Sequence, residues 1–227
     1  MKFDKYEKLG AYHYDWYDDP NYAWYKVCVD RCVDFCGLDT IDIGGGDGLI
    51  AKKLAEKGIT PLVLENSKEA IKLGEKYAFY RFVDLDDENE LHEHNYEYVC
   101  SLNVIEHLKT PTSHIRLIKN ANKGAIIITD MPTENKGRYH EHEYTKKELL
   151  DTFAEFKPKY FVINSTEFGK PIQFHGVEIC KHPVEETRVE ADTGEIFCKL
   201  CGELNETKEA LKYNVGVHNE KLVEELF

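Results

Sequence analysis

Short apolar segments alternate with longer amphipathic segments through the middle of the chain. The apolar segments predict strands at 41–43, 61–65, 81–84, 98–102, 125–129, 160–163 and 177–180. The amphipathic segments predict helices at 21–36, 48–57, 67–77 and 112–121, and a further helix that begins at the capping-box residue Thr145. Strands and helices in alternation indicate a parallel sheet covered by helices on both faces, which is a doubly wound α/β fold.

Both ends of the chain depart from this alternation. Residues 1–37 combine a stretch rich in aromatic and charged side chains with the helix at 21–36, and residues 181–227 follow the last predicted strand. We therefore expect three parts, which are an N-terminal helical and aromatic segment (1–37), the α/β domain (38–180) and a small C-terminal extension (181–227).

The most informative stretch follows the first strand, where three glycines precede Asp47 and a fourth glycine follows it. Gly44, Gly46 and Gly48 allow the backbone to turn tightly and to approach a ligand closely. The helix that begins near Gly48 directs its free N–H groups into the same space. A strand, a glycine loop and a helix in this order predict a nucleotide-binding site. The alternative is a plain tight turn.

Acidic residues end the second and third strands. Glu65 lies 17 residues after Gly48, where a carboxylate can accept both hydroxyl groups of a ribose. Its alternative is a solvated carboxylate at a strand end. Asp84 ends the third strand, but it stands in an acidic run with 86–88, so that a solvated acidic loop is the competing interpretation.

In order and spacing, residues 38–180 resemble the S-adenosylmethionine-dependent methyltransferases of the Rossmann-like class. The segment 42–48 (DIGGGDG) is similar to their D-x-G-x-G-x-G loop, and 104–108 (VIEHL) is similar to the segment after their fourth strand. The resemblance implies a seven-stranded, mostly parallel sheet with an antiparallel end. It also implies methyl transfer from S-adenosylmethionine to an oxygen or nitrogen acceptor. The cofactor-binding residues that it implies are Asp42, Gly44, Gly45, Gly46, Gly48, Glu65, Asp84, Leu102 and Asn103.

The same resemblance bears on the acceptor side. An acceptor that must lose a proton needs a general base tuned near neutral pH, and the candidates are His107, His140 and His142. Each of them is alternatively a structural or surface histidine. The family often has an acid near the end of the fourth strand, where this chain has Ser101 and Asn103. In the family an aromatic N-terminal segment commonly covers the site as a lid, and the alternative is an amphipathic stretch packed on the sheet edge.

Two other functions are compatible with these motifs. Asn103, Glu106 and His107, with His140 or His142, resemble the metal-binding set of small-RNA 2′-O-methyltransferases, although Asn103 replaces a glutamate. The second alternative is a non-catalytic module that binds adenosylmethionine or recruits a partner through the C-terminal extension. The intact glycine loop argues against lost cofactor binding.

The C-terminal extension contains a C-x-x-C-G step, which is the usual tight turn that directs two thiolates at one zinc ion. With the C-x-H pair upstream, the four predicted ligands of a structural zinc ion are Cys180, His182, Cys198 and Cys201, joined by a predicted hairpin at 189–197. The alternative is a set of unrelated thiols and a surface histidine. Three other cysteines, Cys28, Cys32 and Cys36, recur at helical spacing and predict a core face.

The net charge of −13 disfavours nonspecific binding to nucleic acids and to anionic membranes, because both carry negative charge. The N-terminal stretch lacks the apolar core of a signal peptide, and no apolar run is long enough to span a membrane. We therefore expect a cytoplasmic protein without a membrane partner. The acceptor, whether a small molecule or a macromolecule, and the oligomeric state do not follow from the sequence.

Overall fold

The computed structural model describes residues 4–91, 95–133, 137, 139–181, 187–189 and 196–198. One sheet of seven strands has the order β3-β2-β1-β4-β5-β7-β6. Its strands are β1 Thr40–Ile43, β2 Leu62–Glu65, β3 Phe79–Phe82, β4 Tyr96–Leu102, β5 Ala121–Asp130, β6 Lys159–Glu167 and β7 Lys170–Cys180. The helices in this part of the chain are α1 Lys5–Leu9, α2 Tyr12–Asp18, α3 Ala23–Phe35, α4 Leu49–Glu56, α5 Lys68–Gly74, α6 Thr112–Asn120 and α7 Lys146–Thr152.

The pairing of the strands confirms the predicted fold class. β1 pairs in parallel with β2 on one side and with β4 on the other, while β6 and β7 pair antiparallel. The connections from β1 to β2 and from β1 to β4 therefore run in opposite directions across the sheet. In open α/β sheets, ligands bind at this switch point, beyond the carboxyl ends of the strands.

Helices cover both faces of the sheet, as the alternation predicted. Along β5, Ala125 and Ile127 pack in one buried cluster with α6 and α7, whereas Ile126 and Ile128 pack in a second cluster with α3 and α4. Adjacent residues of a strand point to opposite faces, and so a continuously apolar strand indicates burial on both sides. The cysteines Cys28, Cys32 and Cys36 are buried in the second cluster, which confirms their predicted core role.

Several predicted boundaries were wrong by a few residues. β3 ends at Phe82, because its parallel register pairs Glu65 with Phe82, and Asp84 therefore lies beyond the strand. β6 and β7 are both longer than predicted, since they pair with each other from Lys159↔Glu178 to Glu167↔Lys170. Polar side chains alternate along the edge strand β6, so that the apolar segment in the sequence covered only part of the strand. The capping box at Thr145 is present, with its side chain accepting from the backbone N–H of Glu148.

The chain divides into two units, Met1–Ile179 and Cys180–Phe227. In the second unit, β8 (Thr187–Val189) pairs antiparallel with β9 (Ile196–Cys198), and the residues between these strands lie outside the described part. Within the residues that are described, no helix has the length and apolarity that crossing a membrane requires.

Candidate active site

The glycine loop after β1 has a backbone that only glycine accommodates. Gly44 and Gly46 lie in the left-handed region, with φ of 62° and 54°. A Cβ atom at Gly44 would lie 2.6 Å from the Cγ2 of Val104, and one at Gly46 would lie 2.1 Å from the hydroxyl of Tyr6. Side chains are thereby excluded from the switch point, and the backbone of the loop lines a cavity there.

Glu65 connects the end of β2 to this loop. Its Oε2 accepts from the backbone N–H of Gly46 at 3.0 Å, and its Oε1 accepts from Asn66 at 2.9 Å and Ser67 at 2.7 Å. Burial raises the pKa of Glu65, whereas these N–H donors act to lower it. The carboxylate therefore fixes the loop and lies at the cavity wall.

Asp42 and Asp47 are buried on either side of the glycines. Burial raises the pKa of Asp42 to about 7, and the thiol of Cys100 lies 3.5 Å from its Oδ1. Its Oδ2 has no hydrogen-bond partner among the described residues. Such an orphaned buried oxygen beside a glycine loop fits a site that is completed by a polar ligand.

The N-terminal segment covers the glycine loop. The backbone N–H of His13 donates to Oδ2 of Asp47 at 3.2 Å, and the His13 Nδ1 lies 3.1 Å from its Oδ1. The hydroxyl of Tyr14 donates to the Asp47 carbonyl at 3.4 Å. The ring of His13 also stacks on Tyr25 of α3, with centroids 5.1 Å apart. The aromatic N-terminal segment thus contacts the glycine loop, as a lid would.

A cavity of about 1250 Å³ extends from the glycine loop to the carboxyl ends of β4 and β5. This volume suits a cofactor together with a second group, because single drug-sized ligands occupy roughly 300–1,000 Å³. The predicted site residues that line it are Asp42, Gly44, Gly45, Glu65, Asp84, Leu102, Asn103, His107 and His140. Gly46 and Gly48 complete the loop. His142 lies elsewhere, against Tyr144 and 3.7 Å from the carboxylate of Glu148.

Asn103 has strained geometry at the end of β4. Its φ of 54° is left-handed, a conformation that asparagine tolerates better than most residues. Its backbone N–H donates to the carbonyl of Ile128 at 2.9 Å, while its buried Oδ1 has no hydrogen-bond partner in the described part of the chain. Strain of this kind clusters at ligand-binding sites, and Asn103 lines the cavity.

Glu106 is the most deeply buried acid on the acceptor side, with 1% of its surface exposed. Neither carboxylate oxygen has a hydrogen-bond partner among the described residues. Burial, with the nearby charge of Asp130, raises the pKa of Glu106 to about 8. The side chain is therefore mostly protonated at neutral pH.

Backbone hydrogen bonds hold the loop after β5 against this residue. The N–H groups of Glu141 and His142 both donate to the Glu106 carbonyl, at 2.8 and 3.1 Å. This docking brings the ring of His140 within 5.0 Å of the ring of His107, measured between centroids. Two predicted histidines that are distant in sequence thus meet in one cluster.

The two histidines have different partners. The Nδ1 of His107 lies 3.0 Å from the carbonyl of Tyr139, which places the proton of the neutral ring on Nδ1. Burial lowers the pKa of His107. The Nδ1 of His140 lies 3.0 Å from the carboxylate of Glu143, and its Nε2 lies 3.7 Å from that of Asp130. Imidazoles oriented in this way can accept a proton.

The same cluster can hold a metal ion. One ligand atom each of Glu106, His107 and His140 lies within 4.8 Å of the others. Carboxylate and imidazole ligands suit several divalent metals. The predicted zinc set is not assembled by the described residues, since His182 and Cys201 lie outside them and Cys198 is described only as the end of β9. Cys180, at the end of β7, is half-buried.

Sequence reasoning missed several cavity residues. Asp130 ends β5, and the rule that singled out acids at the ends of β2 and β3 would have found it. Lys5 and Tyr139 carry no such signal of their own, although they lie in the N-terminal segment and in the loop after β5, which the sequence had placed near the site.

Comparison with known proteins supports the fold. No protein-family model matches the sequence. The structure resembles magnesium protoporphyrin IX methyltransferase from Synechocystis PCC 6803 with bound SAM, with a TM-score of 0.58 and 14% identity over 78% of this chain and 94% of that chain. It also resembles an S-adenosylmethionine-dependent methyltransferase from Mesorhizobium loti, with a TM-score of 0.56 and 15% identity over 70% and 98%.

Curated relatives are similar over a shorter region. A ubiquinone biosynthesis O-methyltransferase from Nitrosospira multiformis is 24% identical over 95 residues, which is 39% of this chain and 40% of the relative. The corresponding protein from Neisseria meningitidis serogroup A is 22% identical over 123 residues, covering 49% and 52%. The chain thus spans about half or less of the length of the curated relatives it matches.

Proposed function

We propose that this chain, which has the fold of the S-adenosylmethionine-dependent methyltransferases, transfers a methyl group from that cofactor to an oxygen or nitrogen acceptor. The observation that carries the proposal is one continuous cavity. It joins the glycine loop and Glu65 at one end to a cluster of proton-accepting side chains at the other. A transferase needs the cofactor end and the acceptor end of the cavity close to each other. A module that only binds adenosylmethionine needs the cofactor end alone.

The residues present fit the cofactor. The glycines leave room for its backbone contacts, Glu65 would accept from the ribose hydroxyls, and Asp84 lies at the wall near the expected adenine. The orphaned oxygens of Asp42 and Asn103 would find partners in its polar groups. When bound, S-adenosylmethionine supplies an electrophilic methyl group, and the protein has to position the acceptor and take up its proton.

His140 and His107 are the proposed proton acceptors. His140 lies between the carboxylates of Glu143 and Asp130, which stabilise an imidazolium after proton transfer. His107 is kept neutral by burial, as a base must be before it accepts a proton. His142 is outside the cavity, and we do not propose a catalytic role for it.

A second candidate is a cation-dependent methyltransferase. The specific observation is the proximity of ligand atoms in Glu106, His107 and His140, together with the unpartnered oxygens of Glu106. A divalent cation there would stabilise the ionised carboxylate and could polarise an acceptor oxygen. An RNA acceptor receives no support from the net charge of −13.

Two finer proposals concern the rest of the chain. A structural zinc ion held by Cys180, His182, Cys198 and Cys201 remains our proposal for the C-terminal extension, supported by the ligand spacing. A cytoplasmic location is also a proposal. It is supported by the buried free thiols of α3, because reduced cysteines are usual in reducing compartments.

Titration calorimetry with S-adenosylhomocysteine tests the proposed function. We expect binding to the wild-type chain and a loss of about 1–3 kcal/mol in Glu65→Ala, because that change removes the ribose acceptor and leaves the Gly46 N–H without its partner. Glu56→Ala is the matched control, since Glu56 is an exposed acid paired with Lys53 on α4. Equal affinity of Glu65→Ala and Glu56→Ala would show that Glu65 does not hold the cofactor, and no binding to any variant would refute the proposal.

A further inference from the structure

Three aromatic rings surround the amino group of Lys5 in the acceptor half of the cavity. The Nζ atom lies 5.8 Å from the ring centroid of Tyr12, 5.7 Å from that of Trp16 and 5.8 Å from that of Tyr139. We call these three residues the cation cage. Rings at this distance attract a cation through their quadrupoles, and cages of this kind recognise substituted ammonium ions.

Carboxylates add to the preference of the cage for positive charge. Asp130 acts on Lys5 strongly enough to oppose the effect of burial on its pKa. Glu167 lines the same cavity. An anionic acceptor would meet these groups unfavourably, whereas an ammonium group would be attracted by the acids and by the rings.

Lys5 belongs to a helix that could release it. α1 has only five residues, and none of them is fully buried. Its N-cap, Asp4, accepts a hydrogen bond from the hydroxyl of Tyr139 at 3.2 Å, which links the start of α1 to one ring of the cage. A helix of five residues is unstable by itself, so that a local opening of α1 would let Lys5 exchange with a ligand of similar chemistry.

We propose that the cation cage is the subsite for an amine acceptor, and that Lys5 occupies it as an internal mimic of that acceptor. The inference rests on the proposed methyl transfer and deepens it by naming an alkyl amine as the class of substrate. The cage lies beside the proton acceptors, because the carbonyl oxygen of its member Tyr139 lies 3.0 Å from the Nδ1 of His107.

The chemistry balances with the groups at hand. The bound alkylammonium first gives one proton to the imidazole of His140 or His107. The neutral nitrogen then forms a bond to the methyl carbon as the carbon–sulfur bond breaks, and the electron pair of that bond stays on sulfur as S-adenosylhomocysteine leaves. Burial lowers the pKa of Lys5, whereas the charge of Asp130 acts to raise it.

Replacing Lys5 tests the proposal. The n-propylammonium ion is the part of the lysine side chain that Lys5→Ala removes, and it is the probe, with n-propanol as its neutral comparator. In the presence of saturating S-adenosylhomocysteine, we expect Lys5→Ala to bind n-propylammonium at least about ten-fold more tightly than the wild-type chain, which corresponds to the strength of a desolvated cation–π contact. Lys5→Arg is the matched control, because it keeps a cation in the cage and should show no gain.

A second pair of variants tests the rings themselves. In the Lys5→Ala background, Tyr139→Leu should weaken n-propylammonium binding several-fold, whereas Tyr139→Phe keeps the ring and should not. Equal binding of n-propylammonium and n-propanol, or no effect of Tyr139→Leu, would overturn the cage. If the chain binds S-adenosylhomocysteine but no variant binds n-propylammonium, the cage is refuted and the proposed function is not. If the wild-type chain does not bind S-adenosylhomocysteine either, the proposed function is refuted as well.

A further measurement does not depend on the variants folding. In the wild-type chain, excess n-propylammonium should displace Lys5 and increase hydrogen exchange of the α1 amides, and n-propanol should not. Unchanged exchange with both compounds would show that Lys5 is a fixed structural contact rather than an exchangeable occupant.

Discussion

At the scale of single residues, the ionisation of Glu106 is coupled to folding. It is held in the interior by the turn after β4, and its oxygens find no hydrogen-bond donor among the described residues. Burial and the charge of Asp130 raise its pKa to about 8, from an ordinary value of 4.5. Its protonated form therefore favours the folded state, and that contribution is complete below pH 4.5 and lost as pH rises through 8.

We predict that Glu106→Gln removes this dependence on pH. Glutamine resembles the protonated acid and does not titrate. The free energy of unfolding of Glu106→Gln, relative to that of the wild-type chain, should therefore rise by about 1 kcal/mol or more from pH 5.5 to pH 8.5. A pKa that differs by one between the folded and unfolded states corresponds to about 1.4 kcal/mol. Urea unfolding at the two pH values measures the change. A constant difference between the two chains would show that Glu106 does not titrate in this range.

The same variant separates the two proposed mechanisms. If the cluster binds a cation, Mn²⁺ should raise the melting temperature of the wild-type chain at pH 8 and have little effect on Glu106→Gln. A shift of equal size in both chains, with turnover that is unchanged by a chelator, would leave proton transfer by His140 or His107 as the supported mechanism.

At the scale of elements, α2 and the glycine loop form one unit through His13 and Asp47. The buried carboxylate of Asp47 accepts from the His13 backbone and lies 3.1 Å from its ring. Because a short helix such as α2 is unstable alone, these contacts and the aromatic packing hold it in place. The lid should therefore respond to the loss of this single side chain.

We predict that His13→Ala loosens the lid without unfolding the sheet. The amides of α1 and α2 should exchange about ten-fold faster or more, since a buried carboxylate that loses a partner costs about 1–3 kcal/mol. His142→Ala is the control, because His142 lies outside the cavity. Hydrogen exchange with mass spectrometry measures the N-terminal helices and the sheet separately. Equal protection of α1 and α2 in His13→Ala and His142→Ala would show that His13 does not hold the lid in place.

At the scale of the whole molecule, the two units separate cofactor binding from the proposed zinc site. The glycine loop and Glu65 belong to the unit Met1–Ile179, whereas the four proposed ligands belong to the unit that begins at Cys180. Four protein ligands leave no open position on a zinc ion, and its role would be structural.

We predict one zinc ion per chain in protein purified without added metal, and its loss in the double variant Cys198→Ser, Cys201→Ser. The affinity for S-adenosylhomocysteine should stay within about two-fold, because the ligands and the glycine loop are in different units. Lys199→Ala is the control between the two cysteines. Elemental analysis that finds a zinc content well below one in the wild-type chain would leave the four residues as unrelated side chains.

The sequence by itself determined the fold and the cofactor half of the site, because their signals are local. A strand, its glycine loop and the acid that ends the next strand follow from periodicity and steric limits within a short stretch. In the acceptor half, the sequence supplied the candidates His107 and His140, but only the tertiary structure decided which side chains meet there. Glu106 meets His140 because a loop docks on its carbonyl, and Lys5 meets Tyr139 because the N-terminus folds across the sheet. The pattern of hydrophobic and polar residues reports local structure and not the contacts between distant segments. Only the folded chain therefore shows which side chains these contacts bring together.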